Sequence, residues 1–222
     1  VDAVTTTVQV SLDLHAIDDA LRVAEVAVAA GVDWLEAGTG LVIEQGLETV
    51  RALRARFPRH PIVADLKVCD GGEYFGRVAA EAGATHMDVM ASAHDATIRG
   101  AVRATQKHGI KIIADLMLSP DPVAAAVRAE RLGVFMIGLH LGHDHRTENR
   151  GLSPMDGLTQ LLRAVRIPIQ VVGGLSVEQA IEAARLGAGS VVVGGPLVPG
   201  DRGPQLEATL RRVVEGVRAV AP

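Results

Sequence analysis

Short apolar runs and longer amphipathic ones alternate along the whole chain. The short runs, at 8–14, 33–36, 62–66, 85–89, 110–116, 134–140, 167–172 and 190–193, are rich in Val, Ile and Leu and predict eight β-strands. The stretches between them, such as IDDALRVAEVAVAA at 17–30 and VEQAIEAARLG at 177–187, repeat apolar positions at helical spacing. One grammar recurs in AAGVDWLEAG, EAGATHMDVM, RLGVFMIGLH and RLGAGSVVVGG: a helix end, a glycine, then a β-rich run. Gly31, Gly83, Gly133 and Gly187 therefore fit the position after a helix, where a left-handed backbone costs glycine nothing. The strands are nearly all apolar, as expected where both faces are covered. Eight β-α units predict a (β/α)8 barrel, an α/β fold in one domain spanning residues 1–222. A doubly wound open sheet is the alternative, but it usually has fewer strands. No linker-like or low-complexity segment divides the chain.

Composition narrows the class. Hydrophobic residues make up 48% of the 222 residues and aromatics 2%, so Ala, Val, Leu and Ile must build the core. A formal net charge of −4 without a long basic run argues against a nucleic-acid or anionic-membrane partner. The single cysteine, Cys69, rules out an intrachain disulfide and fits a reducing, cytoplasmic setting. The chain opens without a leader pattern, and no apolar run reaches the roughly 18 residues of a membrane span. A soluble, cytoplasmic protein is expected.

The pattern breaks at IVADLKVCDGG, residues 62–72, where Asp65, Lys67 and Asp70 follow an apolar run. Burying an unpaired charge is costly, so these groups need partners. In a (β/α)8 barrel, reactive groups sit at the C-terminal strand ends. Four such ends carry ionisable residues: Asp13, Glu36, Asp65 with Lys67, and His140. Asp65 and Lys67 are two apart and so share a face. With Asp70 the group holds four negative charges and one positive, which calls for a cation. Its ligands are carboxylate oxygens, suited to Mg2+ or Mn2+, and Glu36 with Asp65 on adjacent strands is the natural pair. Among carboxylates Lys67 should stay protonated, as an acid or as a stabiliser of developing negative charge. A lone Asp-x-Lys would read as a salt bridge closing the barrel; charges at four strand ends favour a site.

Two glycine pairs close the seventh and eighth strands, Gly173-Gly174 and Gly194-Gly195. Backbone N–H groups there can approach a phosphate closely, and barrels often bind phosphate at this place. Ser176 and Gln179 fit a capping box, so a helix should start beside Gly174. The segment HLGHDHRTENRGLSP after the sixth strand is long for a βα connection. His140 ends the strand and should face the mouth, whereas His143, His145, Arg146 and Arg150 read as solvated loop residues. No zinc pattern is present. Cys69 reads as a packed small side chain.

Taken in order, VSLDL, VDWLEAGTGLVIEQG, ADLKVCDGGEY, HDATIRGAV, HLGHD, VVGGL and VVVGGPL resemble the 3-hexulose-6-phosphate synthase family over about residues 8–197. The Asp-x-Lys-x-x-Asp motif is similar, more distantly, to that of the 3-keto-L-gulonate-6-phosphate and orotidine-5′-phosphate decarboxylases. The resemblance implies a homodimeric barrel that condenses formaldehyde with D-ribulose 5-phosphate through an enediolate, with Mg2+. It implies Glu36 and Asp65 as metal ligands and Lys67 as the cation beside the enediolate oxygens. Asp13 would contact a substrate hydroxyl, His140 would transfer the proton, and Asp70 would be lent to the partner subunit's site. The four glycines, 173, 174, 194 and 195, would hold the phosphate. Departures fall at Val68-Cys69, where the synthase usually has Thr-Met, at the HRTEN stretch, and at Pro196, which cannot donate an N–H. The keto-gulonate decarboxylase, which shares the enediolate, is the alternative activity. Those decarboxylases carry an arginine three residues after the histidine; this chain has His143 there. A non-catalytic sugar-phosphate-binding barrel is the alternative of another class, and it would have no need of Asp65, Lys67 and His140 together.

Overall fold

The computed structural model describes residues 6–195, 197–198 and 204–220. Eight strands among them close a barrel in sequence order: β1 (Thr7–Leu12), β2 (Trp34–Ala37), β3 (Ile62–Val68), β4 (His86–Met90), β5 (Lys111–Asp115), β6 (Met136–His140), β7 (Ile169–Val172) and β8 (Ser190–Val193). Every neighbouring pair is parallel, and β8 returns to β1. All eight expected strands are present, and the open sheet is excluded.

Among the described residues ten helices surround the barrel: α1 (Ile17–Ala29), α2 (Thr39–Gln45), α3 (Glu48–Arg56), α4 (Gly72–Ala82), α5 (Asp95–His108), α6 (Pro122–Leu132), α7 (His143–Glu148), α8 (Leu158–Ala164), α9 (Val177–Arg185) and α10 (Pro204–Val220). The four expected helix-end glycines all have positive φ, between +90° and +103°. Ser176 and Gln179 form the expected capping box at α9. None of these helices is long and apolar enough to cross a membrane.

The strands are less apolar than their sequence runs suggest. Alternate residues such as Val8, Val10, Leu35, Ala64, Val89 and Ile137 point outward into one continuous core with the helices. The other set points into the barrel, and there the polar residues lie. Gln9, Ser11, Glu36, Asp65, Asp88, Asp115 and Gln170 are all buried. The barrel floor is closed by Trp34, Val63, Ile113 and Met136, with His86 stacked on Trp34 at 4.2 Å. Polar groups therefore fill the upper part of the barrel, beneath the C-terminal strand ends.

Candidate active site

The site begins with an irregularity in β3. Its pairing with β4 slips between Ala64, opposite Met87, and Val68, opposite Val89. The residues in the bulge lose ladder partners, and Lys67 takes φ +46°, the one positive φ among described residues other than glycine. Asp88 replaces the lost acceptors. Its Oδ1 accepts the Leu66 and Lys67 backbone N–H groups at 2.7 and 3.0 Å.

The bulge leaves the Lys67 ammonium among three carboxylates. Nζ donates to Asp65 Oδ1 at 2.6 Å, Asp115 Oδ2 at 2.9 Å and Asp88 Oδ2 at 3.3 Å. Asp115 Oδ2 also meets His140 Nδ1 at 2.8 Å, and its Oδ1 accepts the Met117 N–H. A continuous chain thus runs Asp65–Lys67–Asp115–His140. Beside it, Thr39 donates to Asp65 Oδ2 at 2.6 Å, Ser11 bridges Asp13 and Glu36 at 2.9 Å to each, and Gln9 donates to Glu36.

Charge is divided unevenly over this cluster. Burial alone would lower the Lys67 pKa, but Asp88, Asp65 and Asp115 more than reverse it and hold the ammonium charged. Burial opposes ionisation of Asp65 and Asp115 too, yet Lys67 for the one, and His140 with Lys67 for the other, keep both below the ordinary carboxylate range. Asp88 goes the other way: burial and then the Asp65 charge raise it well above its usual value. Burial and Asp65 push Glu36 up to about 8, and burial raises Asp13.

These groups line one cavity of about 390 Å3 at the barrel mouth, and Asp13, Glu36, Asp65, Lys67, His140, Gly173, Gly174, Gly194 and Gly195 all border it. Asp70 does not. It is exposed, with Oδ1 accepting the Gly71 N–H at 2.7 Å and the Thr97 hydroxyl at 3.5 Å. The charge count that included Asp70 is therefore corrected for this chain: Asp88 and Asp115 belong to the cluster in its place. Cys69 is exposed, not packed. Residues 143–148, expected as loop, form α7, and Arg146, expected in solvent, is half-buried against the cavity. Pro196 lies outside the described residues.

Glu36 and Asp65 fit a hard divalent cation. Both border the cavity beside Asp13, and burial with the Asp65 charge opposes ionisation of Glu36, so added positive charge would suit the pair. Among the described residues, no group of three or more His, Cys, Asp or Glu is arranged to hold a metal. A pair of carboxylates with the other positions open is the usual protein share of a Mg2+ site.

The model of the orotidine 5′-phosphate decarboxylase / HUMPS family matches residues 6–209. A 3-hexulose-6-phosphate synthase from Mycobacterium gastri is 34% identical over 189 residues, covering 85% of this chain and 90% of that protein. A crystal structure of 3-hexulose-6-phosphate synthase superposes with TM-score 0.88 at 30% identity, covering 95% of this chain and 99% of the other. A 3-keto-L-gulonate-6-phosphate decarboxylase from Vibrio cholerae gives TM-score 0.83 at 26% identity, covering 98% and 100%.

Proposed function

The chain belongs to the orotidine 5′-phosphate decarboxylase / HUMPS family, an enzyme of sugar-phosphate lyase chemistry, and from that premise we propose that it is a Mg2+-dependent aldolase joining formaldehyde to D-ribulose 5-phosphate. The observation that carries this reading is the chain Asp65–Lys67–Asp115–His140, of which Asp65, Lys67 and His140 border the same cavity as the two glycine pairs.

In this reading the phosphate lies against Gly173-Gly174 and Gly194-Gly195, and C1 of the ketose lies near His140. Asp115 occupies His140 Nδ1, which leaves Nε2 as the nitrogen that removes a C1 proton. The enediolate that forms carries negative charge, and the fixed Lys67 ammonium stabilises it without having to reorganise. Glu36 and Asp65 would hold the cation, which would supply Lewis-acid polarisation of the ketose carbonyl. The enediolate carbon then attacks formaldehyde. The new carbon–carbon bond leaves an alkoxide, which takes back the proton from the His140 imidazolium. Asp13 contacts a substrate hydroxyl.

Assembly as a homodimer is part of the proposal. Asp70 stands outside its own chain's cavity, and the neighbouring Tyr74 and Phe75 are exposed at 58% and 40%. An acidic residue beside exposed aromatic surface supports a face that covers a second copy and lends Asp70 to it.

Aldol addition is preferred to decarboxylation because His143, and not arginine, follows His140 by three residues and borders the cavity. The test supplies the purified protein with D-ribulose 5-phosphate and formaldehyde, and separately with 3-keto-L-gulonate 6-phosphate. Hexulose phosphate should form, stop with excess chelator, and resume with Mg2+ or Mn2+. Decarboxylation with the higher kcat/KM, or undiminished activity in chelator, would overturn the assignment.

A further inference from the structure

The acidic residues bordering the cavity, Asp13, Glu36 and Asp65, come from the ends of β1–β3, and the glycine pairs follow β7 and β8. Glycine backbone gives a phosphate N–H donors but no formal charge, while a phosphate monoester brings about −1.5 to −2 at neutral pH. Lys67 is already engaged by three carboxylates. Among the described residues one further Lys or Arg borders the cavity, Arg146 of α7.

Arg146 sits directly over the glycine pair. Its Nη1 donates to the Gly174 carbonyl at 3.3 Å, a long and weak bond, and among the described residues no carboxylate pairs with it. Gly174 has φ +71°, and a Cβ there would collide with the guanidinium. Glycine at 174 thus serves both the turn and the space the arginine occupies. A half-buried guanidinium held over the glycine pair, with no carboxylate paired to it among the described residues, suits an incoming anion.

We propose that Arg146 is the cationic half of the substrate-phosphate site, clamping a phosphate monoester against the glycine pairs from α7. The proposal rests on the sugar-phosphate reading above and adds to it a residue and a source: the positive charge comes from the segment after β6, not from the strand-end glycine turns. Arginine gives a planar, paired set of donors that suits phosphate oxygens, so lysine should replace it only in part.

The experiment measures binding, not turnover. Inorganic phosphate is titrated against the wild type, Arg146→Gln and Arg146→Lys, with 31P line broadening and calorimetry as readouts. D-Ribulose 5-phosphate and unphosphorylated D-ribulose are titrated in parallel. Arg146→Gln should weaken phosphate and D-ribulose 5-phosphate by about 10- to 100-fold, the range for losing hydrogen bonds to a charged group. Arg146→Lys should fall between, and D-ribulose should bind all three proteins alike. Equal phosphate affinity in wild type and Arg146→Gln would overturn the proposal. So would an equal loss for phosphorylated and unphosphorylated sugar, which would make Arg146 merely part of the wall. A wild type that binds phosphate through Arg146 but forms no hexulose phosphate would retire the aldolase reading and leave the clamp standing.

Discussion

Asp88 shows how a single buried side chain can set a site without touching substrate. Its Oδ1 satisfies two amides that the β3 bulge takes out of the ladder. Burial and the Asp65 charge raise its pKa. An amide of the same shape keeps an acceptor oxygen for both N–H groups and should replace it at little cost. Asp88→Asn should unfold within about 1 kcal/mol of wild type, whereas Asp88→Ala strands two buried N–H groups and should lose about 2–4 kcal/mol. Urea denaturation decides between these outcomes, and equal losses for the two variants would refute the capping role. Asp88 and Asp115 escaped the sequence reading although Asp65 did not. Asp65 stands out because Lys67 and Asp70 follow it, but HMDVM and IIADL each hold one carboxylate inside an apolar run. The usable signal was that single charge at an inward position of a strand predicted to be covered on both faces. Asp13, Glu36, Lys67 and His140 were legible because they fall at strand ends, where the barrel rule alone locates them.

At the scale of elements, periodicity carried the reading well where backbone pattern decides. The eight strands, the glycines that end helices and the capping box before α9 all follow from local chemistry. The bulge in β3 was not legible, because a slip in register is a property of two strands and leaves no mark in one. The short helix α7 was missed because six residues, HDHRTE, are too few to show an apolar face. The barrel floor offers a pH test. Burial, and next the Lys111 charge, lower the His86 pKa to about 3. The ring is held neutral between Trp34 and Phe135, with Nδ1 against Thr85 at 2.8 Å. In the unfolded chain the same ring binds a proton near its ordinary 6.5. Its contribution is thus fully present above that value and is lost as pH falls toward 3. Between pH 6.5 and 5, stability should drop by up to about 1.4 kcal/mol per pH unit from this residue. His86→Phe should flatten that slope in urea midpoints measured across the window. An unchanged slope would show that His86 takes up its proton without unfolding the floor.

At the scale of the whole molecule, the proposed lending of Asp70 calls for two copies of the chain. Nothing in one chain places Asp70 at the cavity its sequence neighbours line. The resemblance implies that Asp70 serves the partner subunit's site, whereas residue pattern and spacing alone locate it only just past the end of β3. Mixing inactive Asp70→Ala with inactive Lys67→Ala subunits should restore activity, because one of the two mixed sites regains both residues. Failure to recover, with subunit exchange demonstrated, would return Asp70 to its own chain or remove it from the chemistry. Beneath assembly and substrate choice lies one claim, that His140 and Lys67 together make and hold an enediolate. The most direct measurement leaves formaldehyde out. The protein with Mg2+ is incubated with D-ribulose 5-phosphate in deuterium oxide, and the C1 proton signals are followed by NMR. The account predicts exchange of a single C1 proton, abolished in His140→Gln and reduced at least about 100-fold in Lys67→Ala, a loss on the scale of one preorganised charge. No exchange in the wild type, or undiminished exchange in His140→Gln, would contradict it.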